Sequence, residues 1–282
     1  MKWFKKYLTV YNKPFTSEQY ALCDDIKKRI TSLASAEPVV SICIIAHNEE
    51  KHLLASLWTI SDMLCKYPVE IIGVDNNSTD KTTDIFEKCG ITYYKEMRAG
   101  QGFARNCGLS HAKGKYHICI DSDSLYPSKY AEIYVETLAK ENVVGCYGLW
   151  SFIPDKNHPS YQLHLYEFLR DIYLKIQDGK RPELNVRGMT FAFRTDLGKK
   201  IGFRTDIKRG EDGSLALALK KYGKIKFLTG KRTRIITDNG TMNSDGSMLQ
   251  SFFKRLKKAT KSGLSIFHTK QVYQDEDSNL IK

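Results

Sequence analysis

Two carboxylates one residue apart, Asp121 and Asp123, close the apolar run Tyr116-His-Ile-Cys-Ile. At the mouth of an open sheet such a pair can help hold a divalent cation, which in turn neutralises a diphosphate. A solvated acidic turn has the same sequence, so the pair gains meaning from its company. Two other stretches have the same character. Pro38 to Ala46 is near-continuously apolar and empties into His47-Asn48-Glu49-Glu50, and Pro68 to Val74 empties into Asp75-Asn76-Asn77-Ser78-Thr79-Asp80. Each reads as a buried parallel strand ending in a polar loop. Asp75 and Asn76 carry acceptors and donors suited to a planar base, whereas Asp121 and Asp123 suit a ribose or a metal-bound diphosphate. Turn formation and helix capping are the competing roles for Asp75 and Asp80. His47 lines the first loop without a base or metal role being forced on it.

The intervening segments predict what positions these loops. Leu53, Leu54, Leu57, Trp58 and Ile60 form much of a helical stripe, with Asn48 placed to cap it. Thr82 to Cys89 reads as a short helix, Ile91 to Tyr94 as a short strand, Gly102 to Ala112 as a helix and Lys115 to Ile120 as the strand bearing the acidic pair. Such alternation predicts an α/β chain with a Rossmann-like, mostly parallel central sheet flanked by helices, its ligand loops gathered at the carboxyl ends of the strands. Further along, Asn142 to Trp150 reads as one strand crossing toward the second half. Tyr161 to Gln177 shows an aromatic and aliphatic helical stripe, and Thr190 to Arg194 another strand. Trp150 and Tyr147 either stack on a sugar or fill the core. Gly188, just before Met189, either lets backbone approach a sugar or makes an ordinary turn. Glu211-Asp212 opens the helical run Ser214 to Lys220, where two acids are favoured by the helix dipole alone.

In order and spacing these segments resemble the inverting family 2 glycosyltransferases of GT-A fold, which use nucleotide-diphosphate sugars. The resemblance rests on Val40-Ser-Ile-Cys-Ile-Ile-Ala-His-Asn-Glu-Glu50, Ile72-Gly-Val-Asp-Asn-Asn-Ser-Thr-Asp80, Gly100-Gln-Gly-Phe-Ala-Arg-Asn-Cys-Gly108, Asp121-Ser-Asp123 and Glu211-Asp212, across roughly residues 38 to 240. It implies donor recognition by the first two loops, through Ala46, Asn48, Glu50, Asp75 and Asn76. It implies Mg²⁺ or Mn²⁺ held chiefly by Asp123, with Asp121 binding ribose or metal-bound water. Arg105 supplies a fixed cation near an acidic crevice and, beside the resemblance, is expected to orient the donor; Arg98 is the weaker candidate. By the same resemblance Asp212 is the expected catalytic base, with Trp150, Gly188, Met189 and Glu211 on the acceptor side. The implied donor is a uridine nucleotide sugar, and the implied acceptor a glycan or lipid-linked sugar, as in polysaccharide assembly at the cell envelope.

The expected organisation is a basic helical extension (1–37), a GT-A catalytic domain (38–240, its donor half 38–125 and acceptor half 126–240) and a basic amphipathic tail (241–282). Lys and Arg exceed Asp and Glu by 44 to 32, a net charge of +12. That excess suits nucleic acid or an anionic membrane. No nucleic-acid motif accompanies it, whereas Phe252-Phe253-Lys254-Arg255-Leu256-Lys257-Lys258 has an amphipathic pattern suited to peripheral membrane contact. Neither end reads as a membrane span or signal peptide. The seven cysteines show neither zinc-ligand spacing nor a disulfide framework, which favours reduced thiols in the cytoplasm. Two other classes share parts of this pattern: a nucleotidyltransferase joining a nucleoside triphosphate to a sugar phosphate, and a non-catalytic sugar-binding module. The lack of a glycine-rich triphosphate loop near the first strand argues against the former, and the convergent donor loops against the latter.

Overall fold

A computed structural model describes residues 3–239. The basic run at 252–258 lies outside the described residues. In chain order the elements are α1 (Tyr20–Leu33), β1 (Val40–Ala46), α2 (Leu53–Ser61), β2 (Val69–Asp75), α3 (Thr82–Lys88), β3 (Thr92–Lys95), α4 (Gln101–His111), β4 (Tyr116–Asp121) and β5 (Ser124–Leu125). They continue with α5 (Tyr130–Leu138), β6 (Val143–Gly148), β7 (Trp150–Phe152), α6 (Ser160–Asp178), β8 (Phe191–Arg194), α7 (Thr195–Ile201), α8 (Glu211–Leu219), β9 (Lys224–Leu228) and β10 (Ile235–Thr237).

Seven strands form the main sheet in the order β3-β2-β1-β4-β8-β6-β9, and only β8 runs against the rest. β1 and β4 are buried on both faces, which is why their sequences are apolar runs rather than alternating ones. In register, Ala46 pairs with Asp75 and Ile45 with Asp121. The loops after β1, β2 and β4 therefore open side by side. They meet where the chain order reverses across β1, the usual ligand crevice of an open α/β sheet.

Helix α4 lies close on β1 because residue 108 is glycine: a Cβ there would fall 2.0 Å from Cys43 Sγ. From Trp3 onward the chain packs on the body of the protein. Tyr7, Tyr11 and Phe15 are buried, and α1 packs Cys23, Ile26 and Ile30 inward. Asp62 anchors this region to α2 by accepting from Tyr7 Oη at 2.8 Å and Lys6 Nζ at 2.6 Å. The stretch expected as a single strand from Asn142 to Trp150 is broken. β6 ends at Gly148, and after Leu149 the chain enters a second, three-stranded sheet ordered β5-β10-β7. Leu149 and Trp150 are both buried, so an apolar run here spans two sheets without a polar signal at the junction. None of the helices among the described residues is long and apolar enough to cross a membrane. All seven cysteines are free.

Candidate active site

The first two loops are fastened to each other before any ligand arrives. Asn48 sits at φ 55°, and its Oδ1 accepts from the Thr79 amide at 2.8 Å. It therefore does not cap the following helix, which begins only at Leu53 behind His52. The left-handed backbone, tolerated by asparagine, turns its side chain across to the neighbouring loop instead. The Glu50 amide donates to Asp80 Oδ2 at 3.0 Å, and the Lys81 amide donates to Glu50 Oε2 at 3.2 Å. Asp80 Oδ1 accepts from the Thr82 amide at 2.9 Å, an Asx turn one residue ahead of Lys81, the N-terminal boundary residue of α3, so turn formation is the role it takes. His47 Nδ1 donates to the Asn76 carbonyl at 2.7 Å.

Asp75 is buried and accepts from the Ser78 amide at 3.1 Å. Asn76 spends its whole amide on the protein. Nδ2 donates to the carbonyls of Glu96 and Arg98 at 2.8 and 2.7 Å, and Oδ1 accepts from the Gly100 amide at 3.0 Å. With those groups committed, Asn76 shapes the loop entering α4 rather than offering its side chain to a base. Arg98 forms a bidentate pair with Glu96 at 2.9 and 2.7 Å and is itself largely solvent-exposed.

The centre of the site is Arg105, 2% exposed on α4. Its Nη2 donates to Asp121 Oδ1 at 2.9 Å, and its Nε lies 3.0 Å from Asp212 Oδ1 and 3.6 Å from Glu211 Oε1. One guanidinium thus joins the carboxyl end of β4 to the first turn of α8. It packs on Gly188, where a Cβ would stand 1.7 Å from Nη2. Gly188 serves here as the floor for an arginine. Arg105 Nε and Nη1, Glu211 Oε1 and Asp212 Oδ1 are buried without an aligned hydrogen bond among the described residues. The cluster is an electrostatic contact with unused polar capacity, as expected at a site built for a ligand.

Burial pushes the Asp212 carboxyl up to about 7, helped by the charges of Glu211 and Asp121; Arg105 and a bond from the Gly188 backbone pull the other way. Such a group can exchange a proton near neutrality. Asp123 is likewise raised to about 7 by burial and by the charges of Asp121 and Glu49. Repulsion among carboxylates is what a divalent cation relieves. Among the described residues no three side-chain ligands converge on one point. A pair of carboxylates with diphosphate oxygens and water is nonetheless a usual shell for Mg²⁺, so the donor set fits an ion that arrives with its substrate.

Of the two roles open to Trp150, core filling is the one the structure shows. The residue is 9% exposed, and the Arg170 guanidinium lies 4.3 Å above its ring while donating to its carbonyl. Tyr147 is fully buried against Phe227 and donates to Asp178 Oδ1 at 2.6 Å. Both rings fill the core because their strands are covered on both faces. Met189 sits beside the acidic turn, its carbonyl accepting from Tyr126 and Tyr130 at 3.3 Å. Sequence reasoning missed Tyr11, whose hydroxyl donates to the Asp123 carbonyl at 2.7 Å, and the Glu49–His52 pair at 2.8 Å that faces Asp123. Glu49 lies inside the polar loop that follows β1, whereas nothing local to Tyr11 points to residue 123.

A mostly parallel sheet with acidic loops at one rim and a second small sheet beside it is the GT-A arrangement of nucleotide-sugar transferases. The model of the family described as "Glycosyl transferase family 2" matches residues 41–202, and the chain belongs to that family. It is 33% identical over 116 residues to the UDP-Glc:alpha-D-GlcNAc-diphosphoundecaprenol beta-1,3-glucosyltransferase WfaP of Escherichia coli, covering 39% of this chain and 45% of that protein. It resembles the mannosyltransferase PcManGT of Pyrobaculum calidifontis, solved with GDP-Man and Mn²⁺, at TM-score 0.53 and 20% identity over 83% of this chain and 68% of that one. Glucosyl-3-phosphoglycerate synthase of Mycobacterium tuberculosis, solved with Mn²⁺, UDP-Glc and phosphoglyceric acid, gives 0.54 and 18% over 80% and 79%. These two likenesses carry the fold. The chain spans 28% to 37% of the length of the first curated relatives it matches.

Proposed function

We propose that this glycosyltransferase moves a sugar from a nucleotide-diphosphate sugar, with uridine the leading base, to a hydroxyl of a glycan or lipid-linked acceptor, with inversion at the anomeric carbon. The observation that carries the reading is the Arg105 bridge, which holds the acid at the head of α8 and the acid at the end of β4 on one cation. An acceptor-side base and a donor-side carboxylate are thereby fixed relative to each other, as direct displacement requires. Asp212 takes the proton of the acceptor hydroxyl as its oxygen attacks the anomeric carbon and the nucleoside diphosphate leaves. Asp123 and Asp121 would hold Mg²⁺ or Mn²⁺, which when bound offsets the charge developing on the leaving diphosphate. Asp75 and the fastened loops around Ala46, Asn48 and Glu50 shape the donor pocket, and Glu211 supports the acceptor side. WfaP supports a lipid-linked acceptor, and the Mn²⁺-bound structures support a divalent ion. Free, mostly buried thiols favour work on the cytoplasmic side.

The test is donor binding and turnover across a panel of nucleotide sugars with Mg²⁺ or Mn²⁺, comparing the parent chain with Asp123→Ala and resolving nucleoside diphosphate from pyrophosphate. Metal-dependent binding of one donor with slow diphosphate release, both weakened in the variant, is the expected result. A folded protein that binds no donor, or that yields pyrophosphate from triphosphate and sugar phosphate, would sink the proposal.

A further inference from the structure

Helix α6 has two apolar faces where one is enough. Leu163, Tyr166 and Leu174 are buried against the body of the protein. On the opposite side Tyr161, Leu165, Phe168, Ile172 and Ile176 are 71%, 56%, 63%, 43% and 70% exposed with respect to the described residues. Their spacing of three or four residues puts them in one stripe, roughly 23 Å long at 1.5 Å per residue. A continuous apolar row of this length on a surface marks a contact site.

Charge selects the partner. All three acids of α6 are engaged by partners within the protein, and none is exposed. Glu167 accepts from Ser151 Oγ and the Phe152 amide, Asp171 pairs with Arg170 and Arg234, and Asp178 accepts from Tyr147. The exposed charges at the carboxyl end of the helix are cationic. Lys175 and Lys180 are exposed, and Arg181 shares the buried Glu183 carboxylate with Lys220, two cations on one anion. Neither a second copy's α6, which presents no exposed acid, nor the chain's own basic run at 252–258 supplies the anions that would meet these cations. An anionic bilayer offers both an apolar interior and negative headgroups, the chemistry of an interfacial amphipathic helix.

We infer that α6 is a membrane-docking helix that lies in the headgroup region of an anionic bilayer with the Tyr161–Ile176 stripe inward. The segment that follows α6 leads to Gly188, whose backbone meets Asp212 and whose Cα faces Arg105. Docking there would hold the acceptor side of the site at the surface from which a lipid-linked sugar is presented. The docking rests on no step of the transfer chemistry, and vesicle binding is read without donor or acceptor.

The experiment is co-sedimentation of the full chain with vesicles of phosphatidylcholine plus phosphatidylglycerol and with phosphatidylcholine alone. Three proteins are compared: the parent, Leu165→Glu/Phe168→Glu, and the tail variant Lys254→Gln/Lys257→Gln/Lys258→Gln. Expected are binding of the parent to anionic vesicles, retained by the tail variant, and a loss of at least about tenfold on removing two of the five apolar anchors. The stripe variant should keep the parent melting temperature and donor turnover, because both residues are exposed. The inference is overturned if the parent does not bind, if stripe and parent bind equally, or if only the tail variant loses binding. It is also overturned if light scattering shows a parent dimer that the stripe substitutions split, which would give this face to a second copy.

Discussion

Replacing Arg105 with glutamine removes the cation that lies against three carboxylates, and the size of the effect follows from their burial. Glu211 and Asp212 have side chains 2% and 13% exposed, while Asp121 at 32% keeps some water. Most of the penalty therefore falls on the α8 pair. Stranding a buried charge by deleting its partner costs about 3–5 kcal/mol, which for a chain of this size lowers the melting temperature by roughly 6–15 °C. The loss should depend on pH. The folded Asp212 carboxyl lies near 7, above its ordinary 3.8. Its proton therefore stabilises the fold fully below about pH 4, and that contribution is lost as pH rises through 7. Without Arg105 the folded value climbs further, and the loss extends to higher pH. Urea unfolding of parent and variant at pH 5 and pH 8 separates the cases: the destabilisation should be clearly larger at pH 8 than at pH 5, where protonation neutralises Asp212. The acid limb of kcat/KM should move upward with it. A stability loss equal at both pH values would mean that Arg105 contributes packing alone and would refute the electrostatic argument.

Asp212→Asn keeps the shape of the base and removes its proton affinity; transfer should fall by about 10²–10⁴ with donor affinity held, measured as nucleoside diphosphate release in the presence of acceptor. Near-normal turnover would remove Asp212 from the mechanism. Gly188→Ala places a methyl 1.7 Å from Arg105 Nη2, so a cost of about 1–3 kcal/mol and a lower kcat are expected; an unchanged melting temperature would contradict the close packing. Asn76→Ala unfastens three backbone groups of residues 96–100. Faster hydrogen exchange at the Gly100 amide and a raised donor KM should follow, and unaltered exchange would show that the loop is held otherwise.

Much of the donor half was legible because its signals are local. A short apolar run with no alternation, bounded by turn residues, reads as a doubly buried strand, and β1, β2 and β4 begin at Val40, Val69 and Tyr116, within two residues of the expected starts. The family's order of motifs then supplied the strand that each loop would follow. The second half was less legible. The run from Asn142 to Trp150 has uniform hydrophobicity, and only the packing of two sheets breaks it at Leu149.

Composition and spacing alone determined an α/β chain with three acidic or amide-bearing loops at adjacent strand ends. They also placed two acids at the head of a late helix. Tertiary structure decided which of those groups meet. Residues 105, 121, 188 and 212 are brought together by the approach of α4, β4 and α8, a contact that no pattern within any one of them encodes. The same limit explains Trp150, which is apolar wherever it sits and became core only because Arg170 covers it. On α6 the periodicity revealed apolar spacing but not which face the body of the protein would take. Sequence fixes the difference between faces through local geometry, whereas burial depends on what chain distant in sequence arrives to cover them.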